Sequence, residues 1–147
     1  MALIDNGDVI KGIGYVAIYS AYLEESIDDC IELLISKGIL GVEVRKLQAS
    51  RKIKELKNCL NGMSRKPSRF AEIQTSLDIA KDLLEHRNQL LHGRIYSTPT
   101  GDRLESSRVG VPDREICSNE AYELANKLFD MRNPFNYAAN FDLPKVL

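Results

Sequence analysis

Arg87 and His92, two residues whose side chains can act on a phosphodiester, lie close together in the sequence, with Asn88 beside the arginine. Histidine titrates near neutral pH and can take a proton from a hydroxyl or give one to a leaving group. Arginine can bind a phosphate through two hydrogen bonds and stabilise charge that develops in a transition state. In principle these groups suffice to cleave RNA without a metal ion, because the 2′-hydroxyl of RNA is itself the nucleophile.

A helix predicted from about Pro67 to His92 positions this cluster. Its apolar residues recur at steps of three and four, the spacing of one packed face. Arg87 lies on that face, where burying a lone charge is costly, so we expect it to meet a partner or a cavity. Asn88 and His92 lie one turn apart on the other flank. The face comprises Phe70, Ile73, Leu77, Ala80, Leu84, Arg87 and Leu91.

The same residues also have a purely structural interpretation. His92 would then cap the helix end, and Arg87 would pair with the acidic first helix. Gly93 suits the position after a helix end, where a left-handed backbone costs glycine almost nothing. His86 points away from the packed face and is predicted to lie in solvent. The residues alone leave both interpretations open.

Three further helices are predicted from apolar periodicity and end signals. The first runs from Val9 to Ser36 and stops at Lys37-Gly38, and the second spans roughly Gly41 to Leu60. Ser118 begins a fourth helix, which ends near Arg132-Asn133-Pro134. The apolar residues after it should pack on the bundle or on a second subunit.

The segment between the third and fourth helices lacks a helical pattern. Turn residues at positions 97–102 are flanked by extended candidates at Arg94–Tyr96 and Arg108–Val111, which indicates a small hairpin or a long loop. The predicted fold is therefore all-α: an up-and-down bundle of about four main helices, with a long loop or small hairpin after the third. We expect a single domain over residues 1–147.

Composition and cysteine spacing narrow the class of protein. Of the 147 residues, 44% are apolar and 28% charged, as in an ordinary globular domain. No apolar run reaches the about 18 residues that span a bilayer, and no signal-peptide pattern is present, so we expect a soluble cytoplasmic protein. The three cysteines have no Cys-x-x-Cys spacing, which argues against a disulfide framework and a zinc site and indicates buried thiols.

Positive charge is concentrated between Arg45 and Arg69, a segment that contains nine basic residues and a single acidic residue, Glu55. The first helix is acidic. One interpretation is two neighbouring helices of opposite sign that attract each other; the other is a basic surface that holds a polyanion. On the second interpretation, Lys52 and Lys54 would contact RNA, together with Arg94 on the non-helical segment that starts at the histidine.

Most enzyme classes lack support in this sequence. Gly12-Ile13-Gly14 has no third glycine and follows no predicted strand, so it is not a phosphate-binding loop. No Gly-x-Ser-x-Gly elbow or cysteine–histidine arrangement is present. The two histidines lie six residues apart without a carboxylate at ligand spacing. We therefore expect neither a metal ion nor a cofactor.

The segment Arg87-Asn88-Gln89-Leu90-Leu91-His92-Gly93 closely resembles the Arg-x4–6-His motif of the HEPN superfamily. These are small helical-bundle proteins of prokaryotic toxin–antitoxin, abortive-infection and related defence systems, with the motif at a helix end. Active members are metal-independent endoribonucleases that work as homodimers, pairing two motifs across a cleft. The resemblance thus implies a HEPN-like domain, an RNA substrate, a second copy of the chain and a possible antitoxin or other partner protein.

The resemblance also implies roles for individual residues. Arg87 would contact the phosphate or transition state, His92 would be the general acid or base, and Asn88 would be a supporting polar residue. Some HEPN domains only bind or dimerise. The alternative is therefore a non-catalytic HEPN-like module for dimerisation and for binding a protein or nucleotide.

Overall fold

The structure, a computed structural model, describes residues 2–147. Most of the chain is helical, as predicted, with four main helices, but it also contains a three-stranded antiparallel sheet that the all-α prediction lacked. The elements are α1 (Val9–Ser36), a 3-10 turn (Val42–Lys46), α2 (Ala49–Gly62), α3 (Phe70–His92), β1 (Arg94–Thr98), β2 (Gly101–Glu105), β3 (Arg114–Glu115), α4 (Ser118–Asp130), α5 (Arg132–Tyr137) and a π-helical turn (Ala138–Asp142). The strands pair in the order β1-β2-β3. Within the described residues, none of the helices combines the length and the apolar character that a membrane span needs.

The chain forms two compact units, each built from two segments. The motif unit, named for Arg87 and His92, contains residues 2–21 and 83–129, and therefore the whole sheet and nearly all of α4. The α2 unit contains Tyr22–Asp82 and Asp130–Leu147. The single domain over 1–147 stays a prediction.

Helix α1 has the predicted bounds, Val9–Ser36. Its last turn closes with two backbone hydrogen bonds, from Gly38 N–H to the Ile35 carbonyl at 2.9 Å and from Ile39 N–H to the Leu34 carbonyl at 3.0 Å. Gly38 has φ +72°, the left-handed conformation that this ending requires. The predicted glycine stop is confirmed. Its buried face comprises Val9, Val16, Ser20, Leu23, Ile27, Cys30, Ile31 and Leu34, with Ser26 and Gly12 also buried.

The predicted second helix is interrupted near its start. Residues 42–46 form a 3-10 turn, Leu47 and Gln48 are extended, and α2 begins only at Ala49. The turn buries Val44. The Gln48 carbonyl then accepts the N–H groups of Arg51 and Lys52, both at 3.0 Å, and so starts α2. The prediction of one continuous helix from Gly41 was therefore wrong.

Helix α3 ends at His92 as predicted, but it begins at Phe70 and not at Pro67. The reason is Arg69, whose φ of +57° lies outside the right-handed helical region. Its guanidinium lies 4.0 Å from the centre of the Tyr137 ring and donates to Asp142 Oδ2 at 3.0 and 3.2 Å. Because Asp142 is only 2% exposed, this contact fixes the backbone where α3 begins.

The hairpin after α3 is present, and its second strand differs from the prediction. The extended candidate Arg94–Tyr96 lies in β1, but β2 is Gly101–Glu105, while Arg108–Val111 belongs to the loop before β3. Pairing of Thr98 with Gly101 leaves a two-residue turn, and Gly101 has φ +132°. Because the turn is this short, the second strand begins earlier in the sequence than predicted. The register sets Arg94 opposite Glu105.

The apolar C-terminal residues fold as α5 and the π-helical turn. Helix α4 ends at Asp130, slightly before the predicted Arg132-Asn133-Pro134. Within the α2 unit, Phe135, Ala138 and Leu143 are buried, so the predicted packing of the tail on the protein is confirmed.

Candidate functional site

His92 is the last residue of α3 and is exposed. It opens onto a cavity of about 510 Å³ in the motif unit. Arg94 on this cavity pairs with Glu105, with 2.6 Å between Arg94 Nη2 and Glu105 Oε2. The imidazole is therefore accessible and lies among polar groups. The cavity is lined by His92, Gly93, Arg94, Glu105, Ser106 and Ser107.

Gly93 is required here for close packing and not for its backbone conformation. It is not among the residues with positive φ, so the predicted left-handed helix stop at this position was wrong. A Cβ at Gly93 would lie 2.5 Å from Leu104 Cδ1 and 2.9 Å from the Glu105 carbonyl oxygen. Strand β2 therefore runs directly against the end of α3, and this contact brings Glu105 to the cavity beside His92.

Arg87 is half-buried and meets a partner on α1, as expected for a charge on a packed face. Its Nη1 donates to the hydroxyl oxygen of Ser20 at 3.4 Å. Ser20 is 1% exposed, and its hydroxyl donates to the Ala17 carbonyl at 2.9 Å. Ser20, a polar residue on the buried face of α1, thus lies against Arg87, the polar residue on the packed face of α3.

Arg87 and Asn88 are half-buried about one turn before His92, and neither lines the cavity onto which His92 opens. The residues that accompany His92 are instead Glu105, Ser106 and Ser107, which sequence reasoning did not identify. The signal that could have found them is the hairpin register, which requires the true position of the turn.

His86 is half-buried and has a specific partner, which corrects the prediction that it simply lies in solvent. Its Nε2 lies 2.8 Å from Glu120 Oε1 in the first turn of α4. Arg114 donates to both oxygens of the same carboxylate, at 2.6 and 2.8 Å. These bonds from Arg114, more than the one with His86, hold the pKa of the Glu120 carboxyl below its usual value, although partial burial opposes the shift. His86 thus links α3 to α4 through an ion-paired carboxylate.

Most of the basic residues between Arg45 and Arg69 are engaged within the α2 unit. Lys52 Nζ lies 2.9 Å from Asp28, and Arg45 Nε lies 2.6 Å from Glu32, so two cations meet acids of α1. This observation favours neighbouring helices of opposite sign. Lys54 is exposed and forms no ion pair among residues 2–147. Further engaged residues are Lys57, which pairs with Asp78 at 2.5 Å, Lys66, which donates to the Leu60 and Asn61 carbonyls, and Arg69.

The three thiols have different surroundings, and all are free. Burial raises the pKa of Cys30 to about 12, and its sulfur lies 3.4 Å from the Phe135 carbonyl oxygen. Cys59 is half-buried, and Cys117 is exposed, so the prediction of buried thiols holds only for Cys30. Among residues 2–147, no three His, Cys, Asp or Glu side chains are grouped as metal ligands.

The surroundings of His92 limit the chemistry that this part of the chain can perform. An exposed imidazole beside an open cavity can exchange a proton with a bound group. Arg94 can contact an anion if that anion displaces or shares its contact with Glu105. In comparisons with known proteins, no family model, no curated protein and no solved structure matches the chain.

Proposed function

We propose that the protein is a metal-independent endoribonuclease of the HEPN type, acting in the cytoplasm as part of a toxin–antitoxin or defence system. The observation that carries the proposal is the position of His92, exposed on a polar cavity at the end of α3. The half-buried Arg87 precedes it at the spacing of the Arg-x4-His motif. The four main helices support the finer assignment to an up-and-down bundle.

In the proposed reaction His92 takes the proton from the 2′-hydroxyl of RNA. The freed O2′ attacks the adjacent phosphorus, the P–O5′ bond breaks, and the products are a 2′,3′-cyclic phosphate and a 5′-hydroxyl. A second acid must give a proton to the leaving O5′. Arg87 stabilises the negative charge on the phosphoryl oxygens, and Asn88 supports the site as a polar residue.

A homodimer supplies what one chain lacks in this scheme. Arg87 does not line the cavity beside His92, and a single exposed imidazole cannot be base and acid at once. Pairing two copies across a cleft would bring two motifs to one phosphodiester. His92 of the second copy would then protonate the leaving oxygen.

The experiment that tests this proposal is RNA cleavage in the presence of EDTA. Purified wild type, Arg87→Ala and His92→Ala are incubated with structured and unstructured RNA. We expect wild type to cleave, and His92→Ala to lose roughly 10²–10⁴ of the rate, the usual contribution of a general acid or base. Arg87→Ala should lose roughly 10²–10³, as when one stabilising donor is removed.

His86→Ala is the matched control, because it removes the other imidazole, which is bound to Glu120. It should retain most of the activity, and circular dichroism should show each variant folded. Equal rates for wild type and His92→Ala, or no cleavage of any RNA by wild type, would overturn the proposal.

One observation favours the alternative of a non-catalytic HEPN-like module that dimerises and binds a protein, such as an antitoxin, or a nucleotide. The Arg87 guanidinium contacts Ser20 of its own chain, as a structural arginine would. Such a module predicts that Arg87→Ala lowers stability, while wild type forms dimers yet cleaves no RNA.

A further inference from the structure

A second cavity, of about 280 Å³, lies in the motif unit and meets the cavity of His92 at Ser106, which lines both. Gln89 forms part of its wall from the exposed side of α3, one turn before His92. The loop between β2 and β3 forms most of the rest. The second cavity is lined by Gln89, Leu104, Ser106, Arg108, Val111, Pro112 and Arg114.

The polar groups of the second cavity are suited to an anion. Arg108 and Arg114 carry guanidinium groups, which pair with Glu85 and Glu120 outside the lining, and Gln89 and Ser106 offer neutral donors. No lining residue is itself acidic. The Ser106 hydroxyl oxygen accepts the Arg108 N–H at 3.0 Å, which leaves its own O–H for a ligand. Guanidinium and hydroxyl donors are the groups that bind phosphate oxygens in proteins.

We infer that the two cavities form one track for the sugar–phosphate backbone of single-stranded RNA, leading from His92 past Ser106 to Arg108 and Arg114. The inference rests on the proposed function, and it names where the substrate lies. Three guanidinium groups lie around the two cavities, and each is paired with one carboxylate: Arg94 with Glu105, Arg108 with Glu85 and Arg114 with Glu120. The apolar wall of the second cavity, formed by Leu104, Val111 and Pro112, can contact a ribose or base.

The track is a better candidate than the basic segment of the α2 unit. There, the Lys52 side chain is bound to Asp28 and only 18% exposed, and Arg45, Lys57, Lys66 and Arg69 also have partners within the unit. In the track, the ion pair of Arg108 is more exposed than that of Lys52: Arg108 Nη2 lies 2.6 Å from Glu85 Oε1, with the two side chains 64% and 48% exposed. Exposed pairs are weak and screened by salt, so Arg108 can exchange Glu85 for a phosphate.

This exchange distinguishes RNA binding from a structural role of the pair. Arg108→Gln removes a phosphate contact, whereas Glu85→Gln removes a competitor for the same guanidinium. RNA affinity should therefore change in opposite directions in the two variants. A purely structural ion pair would give changes of the same sign, because either substitution breaks it.

The test is fluorescence anisotropy of the full-length protein with a labelled single-stranded 2′-O-methyl RNA, which cannot be cleaved by 2′-hydroxyl attack. We expect Arg108→Gln to bind roughly tenfold more weakly, as for loss of one charged hydrogen bond. Its log–log salt slope should fall by about 0.7, the value for one phosphate contact on a single strand. Glu85→Gln should bind more tightly than wild type.

Lys127→Gln is the matched control, since it removes an exposed positive charge on α4 outside both cavities. It should bind as wild type. Lys54→Gln tests the rival surface on α2. Weaker binding by Lys54→Gln with unchanged binding by Arg108→Gln, or equal losses in Arg108→Gln and Glu85→Gln, would overturn the track.

The outcomes also separate this inference from the proposed function. A wild type that cleaves RNA in EDTA while Arg108→Gln binds normally would overturn the track and leave the nuclease. Opposite effects of Arg108→Gln and Glu85→Gln without any cleavage would support the track and overturn the nuclease. A wild type that neither binds nor cleaves would overturn both.

Discussion

At the scale of single residues, Ser20 and Gly93 determine how Arg87 and His92 are positioned. Ser20 on α1 accepts a hydrogen bond from Arg87 while donating to Ala17, so both functions of its buried hydroxyl are used. Gly93 leaves room for β2 against the end of α3. These small residues allow an arginine to lie on a packed face and a histidine to lie beside a hairpin.

Gly93→Ala should destabilise the protein because its new methyl group would meet Leu104, Glu105 and the Gln89 carbonyl oxygen, the last at 3.0 Å. Two of these neighbours are backbone atoms, which cannot move aside cheaply. We expect a loss of about 1–3 kcal/mol in the free energy of unfolding, the usual cost of overpacking. Urea denaturation measures it.

Gly14→Ala is the control for this prediction. Gly14 lies inside α1, and a Cβ there would have no neighbour within 4 Å. Alanine should therefore raise the free energy of unfolding by about 0.5–1 kcal/mol through helix propensity. A Gly93→Ala variant as stable as wild type would show that β2 does not press on the end of α3.

At the scale of elements, the start of α3 depends on the C-terminal turn of the same unit. Arg69 has a left-handed backbone, which costs free energy for a residue with a side chain. Its contacts with the buried Asp142 and with the Tyr137 ring compensate for this cost in free energy. The Pro67 that suggested an earlier start is buried in the preceding segment and belongs to no helix.

Asp142→Asn should lower the free energy of unfolding by about 1–3 kcal/mol, because a hydrogen bond to a charged group is replaced by a weaker one at a site 2% exposed. Thermal or urea denaturation measures the change. Glu72→Gln is the matched control, as Glu72 also pairs with Arg69, at 3.4 Å, but its side chain is 66% exposed. Equal effects of the two variants would contradict the assignment.

At the scale of the whole molecule, elements set by local signals were predictable from sequence, and those set by distant contacts were not. Periodicity and Gly38 determine α1, so both of its ends were correct. The start of α3 depends on Asp142, which lies 73 positions from Arg69. The break before α2 accompanies burial of Val44, and no local pattern indicates it.

The candidate site divides in the same way. A partner for Arg87 could be expected, because a charge on a packed face needs one, and Ser20 is the polar member of the facing pattern. The Glu120 partner of His86 comes from α4 and could not be expected from α3 alone. Ser106 and Ser107 reach His92 only through the hairpin register.

We propose that His92 promotes attack by the 2′-hydroxyl of RNA. The most direct test of this proposal is mass spectrometry of the ends produced by wild type in EDTA, from an RNA and from the same RNA with one 2′-deoxynucleotide at the cleaved position. We expect 2′,3′-cyclic phosphate and 5′-hydroxyl ends, with no cut at the 2′-deoxynucleotide. Ends with a 3′-hydroxyl, or cleavage that persists at the 2′-deoxynucleotide, would contradict it.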